Sequence, residues 1–188
     1  MKLSLRALCL AATLSAGALA GAAAFAQDNP MVGGAAMFAD KNIVENAVNS
    51  ADHTTLVAAV QAAGLVETLS GPGPFTVLAP TNEAFAALPA GTVENLLKPE
   101  NKDMLTKVLT CHVIPAKALS TDIITMVKDD GGAHVVDTVG GCKLTLKDEG
   151  GKVTVTDENG TVANVTIADV IQSNGVIHVI DKVLTPKM

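Results

Sequence analysis

Few residues of this chain have the types and spacing that chemistry requires. Its four histidines stand at positions 53, 112, 134 and 178, and no two of them have the spacing typical of zinc ligands. The acidic turn Asp157-Glu158-Asn159-Gly160 lacks the twelve-residue series of oxygen ligands that a calcium loop uses. The sequence therefore predicts no metal site and no cofactor.

The corner that follows the strand-like run FTVLA is the other place where chemistry could be expected. Pro80 ends the run, and Thr81 or Asn82 can cap a helix that carries Phe85 towards the core. A nucleophile elbow requires Gly-x-Ser-x-Gly, and a phosphate loop requires clustered glycines followed by lysine. Residues 79–85 match neither pattern. We interpret the corner as a structural joint, and we predict a protein that is not an enzyme.

The first 26 residues have the organisation of a secretory signal peptide. Lys2 and Arg6 precede an apolar stretch, and Ala24-Phe25-Ala26 is typical of a cleavage site. We expect cleavage after Ala26, a flexible N-terminal arm over residues 27–40, and a single domain over residues 41–188. The processed chain is expected to be secreted or periplasmic in a bacterium, without a membrane anchor.

Composition limits the partners that such a chain could bind. The net charge is −6, with 19 acidic against 13 basic residues, which disfavours nucleic acid and anionic membranes. Trp and Tyr are absent and Phe occurs four times. The chain thus lacks stacking platforms for single-stranded nucleic acid and most aromatic anchors of interfaces. Any binding surface is expected to be aliphatic or polar.

Two cysteines remain once the signal peptide is removed, Cys111 and Cys142. An even number of cysteines in an exported chain favours one disulfide bond, because such compartments are oxidising. Two buried free thiols are the alternative.

The hydrophobic pattern changes along the chain. Before Gly131, apolar residues recur with a helical period, interrupted by the strand-like run FTVLA. After it, short β-branched runs are separated by glycine pairs and by Asn159-Gly160, which is a strong hairpin signal. We predict an α+β domain with an antiparallel meander, which FTVLA joins from long range.

Four segments together resemble the fasciclin domain. GPFTVLAPTNEAF (residues 73–85) resembles the first signature segment of that family, and NGVIHVIDKVL (174–184) resembles the second. LPAGTVENLLKPENKDML resembles the helices between them, and CHVIPA (111–116) resembles the family's Tyr-His segment. The resemblance runs from about Asn42 to Pro186. It implies a wedge of antiparallel and mixed β-sheets flanked by helices, and roles in cell adhesion.

The resemblance also implies roles for individual residues. The signature segments contain six residues expected to be structural: Pro80, Thr81, Asn82, Phe85, His178 and Asp181. The segment NKDML is similar to an integrin-recognition segment of animal members. In that comparison Asp103 supplies a carboxylate, and Met104 with Leu105 supplies an aliphatic contact. Stabilisation of a helix start by Asp103 is the alternative.

The Tyr-His segment departs from the family at its first residue, since Cys111 stands where the family usually has Tyr. A tyrosine-dependent contact is therefore absent. His112 is carried over as a candidate binding residue. For both His112 and His178 the other interpretation is a hydrogen-bonded core residue.

Together these features predict an exported, non-enzymatic protein that mediates cell adhesion. Its partners would be surface or matrix proteins or polysaccharides, bound weakly, and it could form oligomers to gain avidity. The alternative is a carrier of a small apolar ligand held between helices and sheet, because the high aliphatic content could line a cavity without aromatic residues.

Overall fold

The computed structural model describes residues 29–89 and 91–187. The expected signal peptide therefore lies outside the described residues. The helices within those ranges are α1 (Ile43–Ala47), α2 (Thr54–Ala63), α3 (Val66–Ser70), α4 (Asn82–Ala86), α5 (Thr92–Leu96), α6 (Lys102–Thr110) and α7 (Ser120–Asp129). The strands are β1 (Met31–Val32), β2 (Ala35–Ala36), β3 (Phe75–Pro80), β4 (Val113–Ile114), β5 (His134–Asp137), β6 (Lys143–Asp148), β7 (Val153–Thr156), β8 (Val162–Gln172) and β9 (Gly175–Ile180).

Seven of these strands form one mixed sheet in the order β4-β3-β9-β8-β7-β6-β5. Strand β3 lies parallel to β9, with Phe75 opposite Gly175, and the other neighbouring pairs are antiparallel. The register of β8 against β9 shifts on either side of Ile167. Such bulges bend a strand and increase its twist, so the sheet curves into a wedge. The predicted α+β wedge flanked by helices is confirmed, and FTVLA joins the sheet from long range as expected.

Two buried clusters hold the helices against this sheet. The first lies between β3 and β9 and helices α1, α2, α4 and α6, and it contains Leu56 and Phe85. The second lies between α7 and strands β6 and β7, and it contains Val127 and Leu144. Helix α6 buries only one face, so the residues on its opposite face remain available to solvent.

The corner after β3 assigns separate tasks to the two residues that could cap a helix. Thr81 is the N-cap of α4, and its hydroxyl accepts a hydrogen bond from the Ala84 amide at 3.3 Å. The Asn82 side chain instead accepts from the Thr55 amide at 3.1 Å and donates to the Ala51 carbonyl at 2.8 Å. Asn82 therefore satisfies backbone groups at the start of α2, and the corner joins two helices to the end of a strand.

The N-terminal arm differs from the expectation of a loose segment. Strands β1 and β2 form a short hairpin, in which Val32 is 3% exposed. Met37, which directly follows the hairpin, is 2% exposed. The turn contains Gly33 at a φ of 57°, where a Cβ would overlap the Ser50 hydroxyl. The Gly33 carbonyl accepts from the Ala51 amide at 3.2 Å. In the structure, residues 31–37 are thus held by the pairing of β1 with β2, by the burial of Val32 and Met37 and by the hydrogen bond from Ala51 to Gly33.

Cys111 and Cys142 are joined in a disulfide bond, with their Cα atoms 5.4 Å apart. Both residues are buried, at 1% and 3% exposure. The bond connects the end of α6 to the loop before β6. Two backbone hydrogen bonds support the same contact, from Val139 to Val113 at 2.8 Å and from Gly140 to Thr110 at 3.0 Å.

Replacement of Gly175 by alanine is expected to lower the free energy of unfolding by about 2 kcal/mol. A Cβ at this position would overlap the Phe75 carbonyl oxygen and also meet the Ile43 side chain, so the parallel strands must move apart. Urea unfolding followed by circular dichroism measures the loss. Gly71→Ala is the matched control, because its Cβ would come no closer than 3.2 Å to the Thr68 carbonyl oxygen, whereas a Cβ at Gly175 would lie 2.1 Å from the Phe75 carbonyl oxygen. Equal stability of the two variants would contradict the prediction.

Candidate functional site

The start of α6 presents the residues that the resemblance associates with adhesion. Asp103 lies in the first turn of the helix and is exposed, and Met104 is 40% exposed. Both line an open surface concavity of about 480 Å³, together with Glu100, Lys107 and Pro186. The C-terminal segment thus forms one wall of a depression whose floor is α6.

Leu105 does not share that surface. It is 3% exposed and belongs to the first buried cluster with Leu109. Successive residues of a helix point about 100° apart, so a leucine that faces the core cannot also contact a partner bound outside. The expected aliphatic contact by Met104 and Leu105 is therefore corrected to Met104 alone.

His112 lies directly after α6 and is 3% exposed. Its Nδ1 bonds to the Val108 carbonyl at 2.8 Å, and its Nε2 accepts a hydrogen bond from the Leu184 amide at 2.9 Å. A carbonyl only accepts and an amide only donates, so Nδ1 carries the proton and the imidazole is neutral. Burial lowers the pKa of His112 to about 4. The imidazole connects α6 to the end of the chain, and neither nitrogen is free to bind a partner.

His178 makes an equivalent connection in the other half of the core. Its Nε2 donates to the Ala118 carbonyl at 2.9 Å, and its Nδ1 accepts from the Asp169 amide at 3.2 Å. Burial lowers its pKa, although the Ala118 carbonyl and the Asp169 charge act in the opposite direction. Asp181, in the same signature segment, accepts from the amide and the side chain of Asn164, both at 2.7 Å.

The fold brings Ser120, Asp169 and His178 together, which the sequence analysis did not foresee. The Ser120 hydroxyl and amide both donate to the Asp169 carboxylate, the amide at 2.6 Å. In a catalytic triad the serine bonds to the histidine, whereas here His178 bonds to the Ala118 carbonyl and the Asp169 amide and makes no hydrogen bond to Ser120. The carboxylate instead satisfies the first free amide of α7.

The backbone conformation of Asp169 also indicates a structural role for this group. Its φ of 58° lies in the left-handed region, at the bulge where β8 changes register. This conformation is uncommon for residues other than glycine, although Asp and Asn tolerate it best. In the sequence, Asp169 stands between Ala168 and Val170, and neither its type nor its spacing from Ser120 indicates this contact. The group is a joint between β8 and α7.

Two further properties concern only the described part of the chain. There, His, Cys, Asp and Glu side chains form no group of three that could hold a metal ion. In residues 29–89 and 91–187, no helix combines the length and the apolar character needed to cross a bilayer.

Comparison with known proteins identifies the family. The fasciclin domain profile matches residues 51–186, which is most of the chain. Protein sll1483 of Synechocystis is 55% identical over 146 residues, covering 78% of this chain and 74% of that protein. The chain therefore belongs to the fasciclin family.

Two other proteins show where the same domain occurs. Transforming growth factor-beta-induced protein ig-h3 of Sus scrofa is 40% identical over 131 residues, covering 70% of this chain but only 17% of that protein. A structure of a FAS1 domain pair from the insect cell adhesion molecule fasciclin I superposes with a TM-score of 0.68. It covers 79% of this chain and 51% of the insect chain at 16% identity, which establishes a shared fold.

Proposed function

We propose that this protein is an exported, non-enzymatic adhesion module that binds a surface or matrix component through the start of α6. The observation that carries the proposal is the placement of Asp103 and Met104 side by side on an exposed concavity. A carboxylate beside a flexible thioether can make a charged hydrogen bond and an aliphatic contact to one partner.

The surroundings of these two residues favour a polar, weakly bound partner. Lys107, Glu100 and Pro186 line the same depression, so both signs of charge border the aliphatic contact. Across an interface, charge placement contributes more to specificity than to raw affinity. The partner is a surface protein or polysaccharide with hydroxyl or cationic groups, and several copies of the module would supply the avidity that one copy lacks.

The absence of an enzymatic activity forms part of the same proposal. The group of Ser120, Asp169 and His178 has its serine bonded to the carboxylate and its imidazole bonded to backbone. No side chain there activates the Ser120 hydroxyl as a nucleophile.

The proposal predicts that Asp103→Asn weakens binding about tenfold, which corresponds to about 1.4 kcal/mol. The substitution keeps the size of the side chain and removes the charge. The measurement is equilibrium binding of the purified chain to intact cells and to extracted surface polysaccharide. Asp129→Asn, on the exposed C-terminal turn of α7, makes the same change of charge elsewhere and serves as the control.

A second pair of variants tests the aliphatic contact. Met104→Gln is expected to weaken binding, whereas Met31→Gln, at a methionine that is 59% exposed on the hairpin, is expected to bind like the wild type. Saturable binding that survives both Asp103→Asn and Met104→Gln would move the contact to another surface. No binding by the wild type to either material would exclude adhesion to them.

A further inference from the structure

One wall of the α6 concavity lies outside every helix and strand. Pro186 lines the concavity, and it belongs to residues 185–187, which we call the C-terminal wall. The last strand, β9, ends at Ile180, so these residues follow the sheet without joining it. In the described part of the chain, their backbone makes no hydrogen bond to another backbone group. Side chains must therefore supply the partners of the wall.

The acidic turn at residues 157–160, between β7 and β8, supplies these side chains. Asp157 is 6% exposed, and its Oδ2 accepts hydrogen bonds from the Thr185 amide at 2.9 Å and from the Thr185 hydroxyl at 3.2 Å. Glu158 Oε2 accepts from the Lys187 amide at 3.2 Å. Proline has no amide proton, so both N–H groups of the wall are bonded to carboxylates of one turn.

Asn159 makes the opposite kind of contact. Its Nδ2 donates to the Thr185 carbonyl and hydroxyl, both at 3.0 Å, and to the Pro186 carbonyl at 3.3 Å. A primary amide carries two protons, so the three acceptors share them. The wall thus has its N–H groups on carboxylates and two of its carbonyls on the Asn159 amide.

Asp157 also fixes the turn that carries Asn159. Its Oδ1 accepts from the Asn159 amide at 2.9 Å and from the Thr161 amide at 2.8 Å. The Asp157 amide donates to the Thr161 carbonyl at 3.0 Å, and the Gly160 amide donates to the Asp157 carbonyl at 3.1 Å. Aspartate side chains commonly stabilise turns in this way. The Asn159 side chain therefore reaches the wall from a turn whose backbone is already fixed.

The chain immediately before the wall has a separate attachment. Val183 and Leu184 are buried, at 4% and 0% exposure. The Leu184 amide donates to His112 Nε2 at 2.9 Å. The core thus holds the chain as far as Leu184, and the turn holds it beyond that point. Loss of the turn contacts is expected to release the wall without unfolding the core.

The turn also borders the concavity itself. Hydrogen bonds from the Lys187 and Lys143 amides lower the pKa of Glu158. The Lys107 charge acts in the same direction, so its ammonium group lies near this carboxylate. Lys107 lines the concavity together with Asp103. The turn, the wall and α6 therefore meet at one edge of the proposed binding surface.

We propose that Asn159 is a positioning residue of the adhesion site. Its amide holds the C-terminal wall in place, so that a partner meets Asp103 and Met104 against a fixed surface. A surface that is ordered before binding loses less entropy when the partner arrives. This inference rests on the proposed function, because it assigns a residue to the same concavity.

Hydrogen exchange tests the attachment of the wall without any partner. Asn159→Asp keeps the shape of the side chain but turns a carboxylate oxygen towards the three acceptors. The Thr185 and Lys187 amides are expected to exchange about tenfold faster, as measured by NMR, whereas the Leu184 amide keeps its wild-type rate. Unchanged exchange at Thr185 would overturn the inference. Equal acceleration at Leu184 would also overturn it, because the turn would then support the core.

Two further variants separate the lost donor from the added charge. Asn159→Ala removes the donor without adding charge, and it is expected to accelerate exchange at Thr185 in the same way. Asn49→Asp makes the same change of charge at an exposed asparagine whose Nδ2 donates to the Glu45 carbonyl at 2.8 Å. It lies at the end of α1, away from the residues that line the concavity, and should leave exchange in the wall unchanged. Wild-type exchange in Asn159→Ala would assign the effect to charge and contradict the proposal.

Binding to intact cells and to extracted surface polysaccharide tests the role of Asn159 in the site. Asn159→Asp and Asn159→Ala are expected to weaken binding about fivefold. The loss should be smaller when Asp103→Asn is already present, because both residues act on one site. Wild-type binding despite a loosened wall would overturn the positioning role, as would losses that simply add to that of Asp103→Asn. A wild type that binds neither material would instead reject the proposed function and the role of Asn159 in it, while the exchange rates would still decide how the wall is attached.

Discussion

The protein is expected to lose folding stability steeply as the pH falls from about 6.5 to about 4. His112 and His178 are buried as neutral imidazoles, each with one nitrogen that donates and one that accepts. Protonation would turn the accepting nitrogen into a donor facing an amide, so the folded state resists it. Burial lowers the pKa of His112 to about 4 and also lowers the pKa of His178 and of His53.

The direction of the effect follows from proton binding in the two states. Histidines of the unfolded chain take up protons near pH 6.5, whereas the folded protein holds them neutral to lower pH. The unfolded state therefore binds more protons in this window, and the free energy of unfolding falls with pH. Above pH 6.5 the contribution is fully present. His112 alone would remove about 3 kcal/mol by pH 4, and His178 and His53 act in the same direction.

The measurement is urea unfolding at several pH values between 7.5 and 4. His112→Gln is the informative variant, because an amide can still donate to Val108 and accept from Leu184 but cannot titrate in this range. We expect it to be less stable than the wild type at pH 7 and to lose less stability on acidification. His134→Gln, at a partly exposed position of β5, should retain the wild-type loss. An unchanged pH dependence in His112→Gln would contradict the assignment.

Loss of the disulfide bond is expected to lower the free energy of unfolding by about 4 kcal/mol. The bond closes a loop of 31 residues, and in the chain-entropy model a loop of this length restricts the unfolded state by about that amount. The effect should exceed that of ordinary surface substitutions, which usually change the free energy of unfolding by less than about 0.5 kcal/mol.

Two preparations separate the cross-link from the side chains that form it. The first is the reduced wild type, with a thiol count under denaturing conditions to show that the bond is broken. The second is Cys111→Ala/Cys142→Ala, which also removes both buried sulfur atoms. Equal unfolding midpoints for the oxidised and reduced wild type would show that the bond contributes nothing to stability. A further loss in the double variant would measure the packing of the sulfur atoms.

Much of the fold followed from local patterns. The change from helical to strand periodicity near Gly131 predicted the α+β class, since hydrophobic periodicity depends only on which face of each element is buried. The strand-to-helix corner at Pro80 was also predictable, because proline and a following capping residue act within a few positions. The ordered segment of residues 31–37 was not predictable from local patterns, because burial of Val32 and Met37 depends on surfaces that segments much later in the chain form.

In the candidate site too, local patterns predicted some features and only the structure showed the others. The NKDML segment located Asp103 and Met104, but only the orientation of α6 showed that Leu105 faces the core. His112 was named from its segment, yet its partner Leu184 lies 72 residues away. The contact of Ser120 with Asp169 spans 49 residues and left no signal in either neighbourhood.

The sequence by itself determined the family, the order of helices and strands, and the two cysteines that could pair, because each depends on residue type and short-range spacing. The tertiary structure alone decided which side chains face solvent and which hydrogen bond across the core. These properties depend on contacts between segments far apart in the chain, and no local pattern specifies which distant atoms will meet.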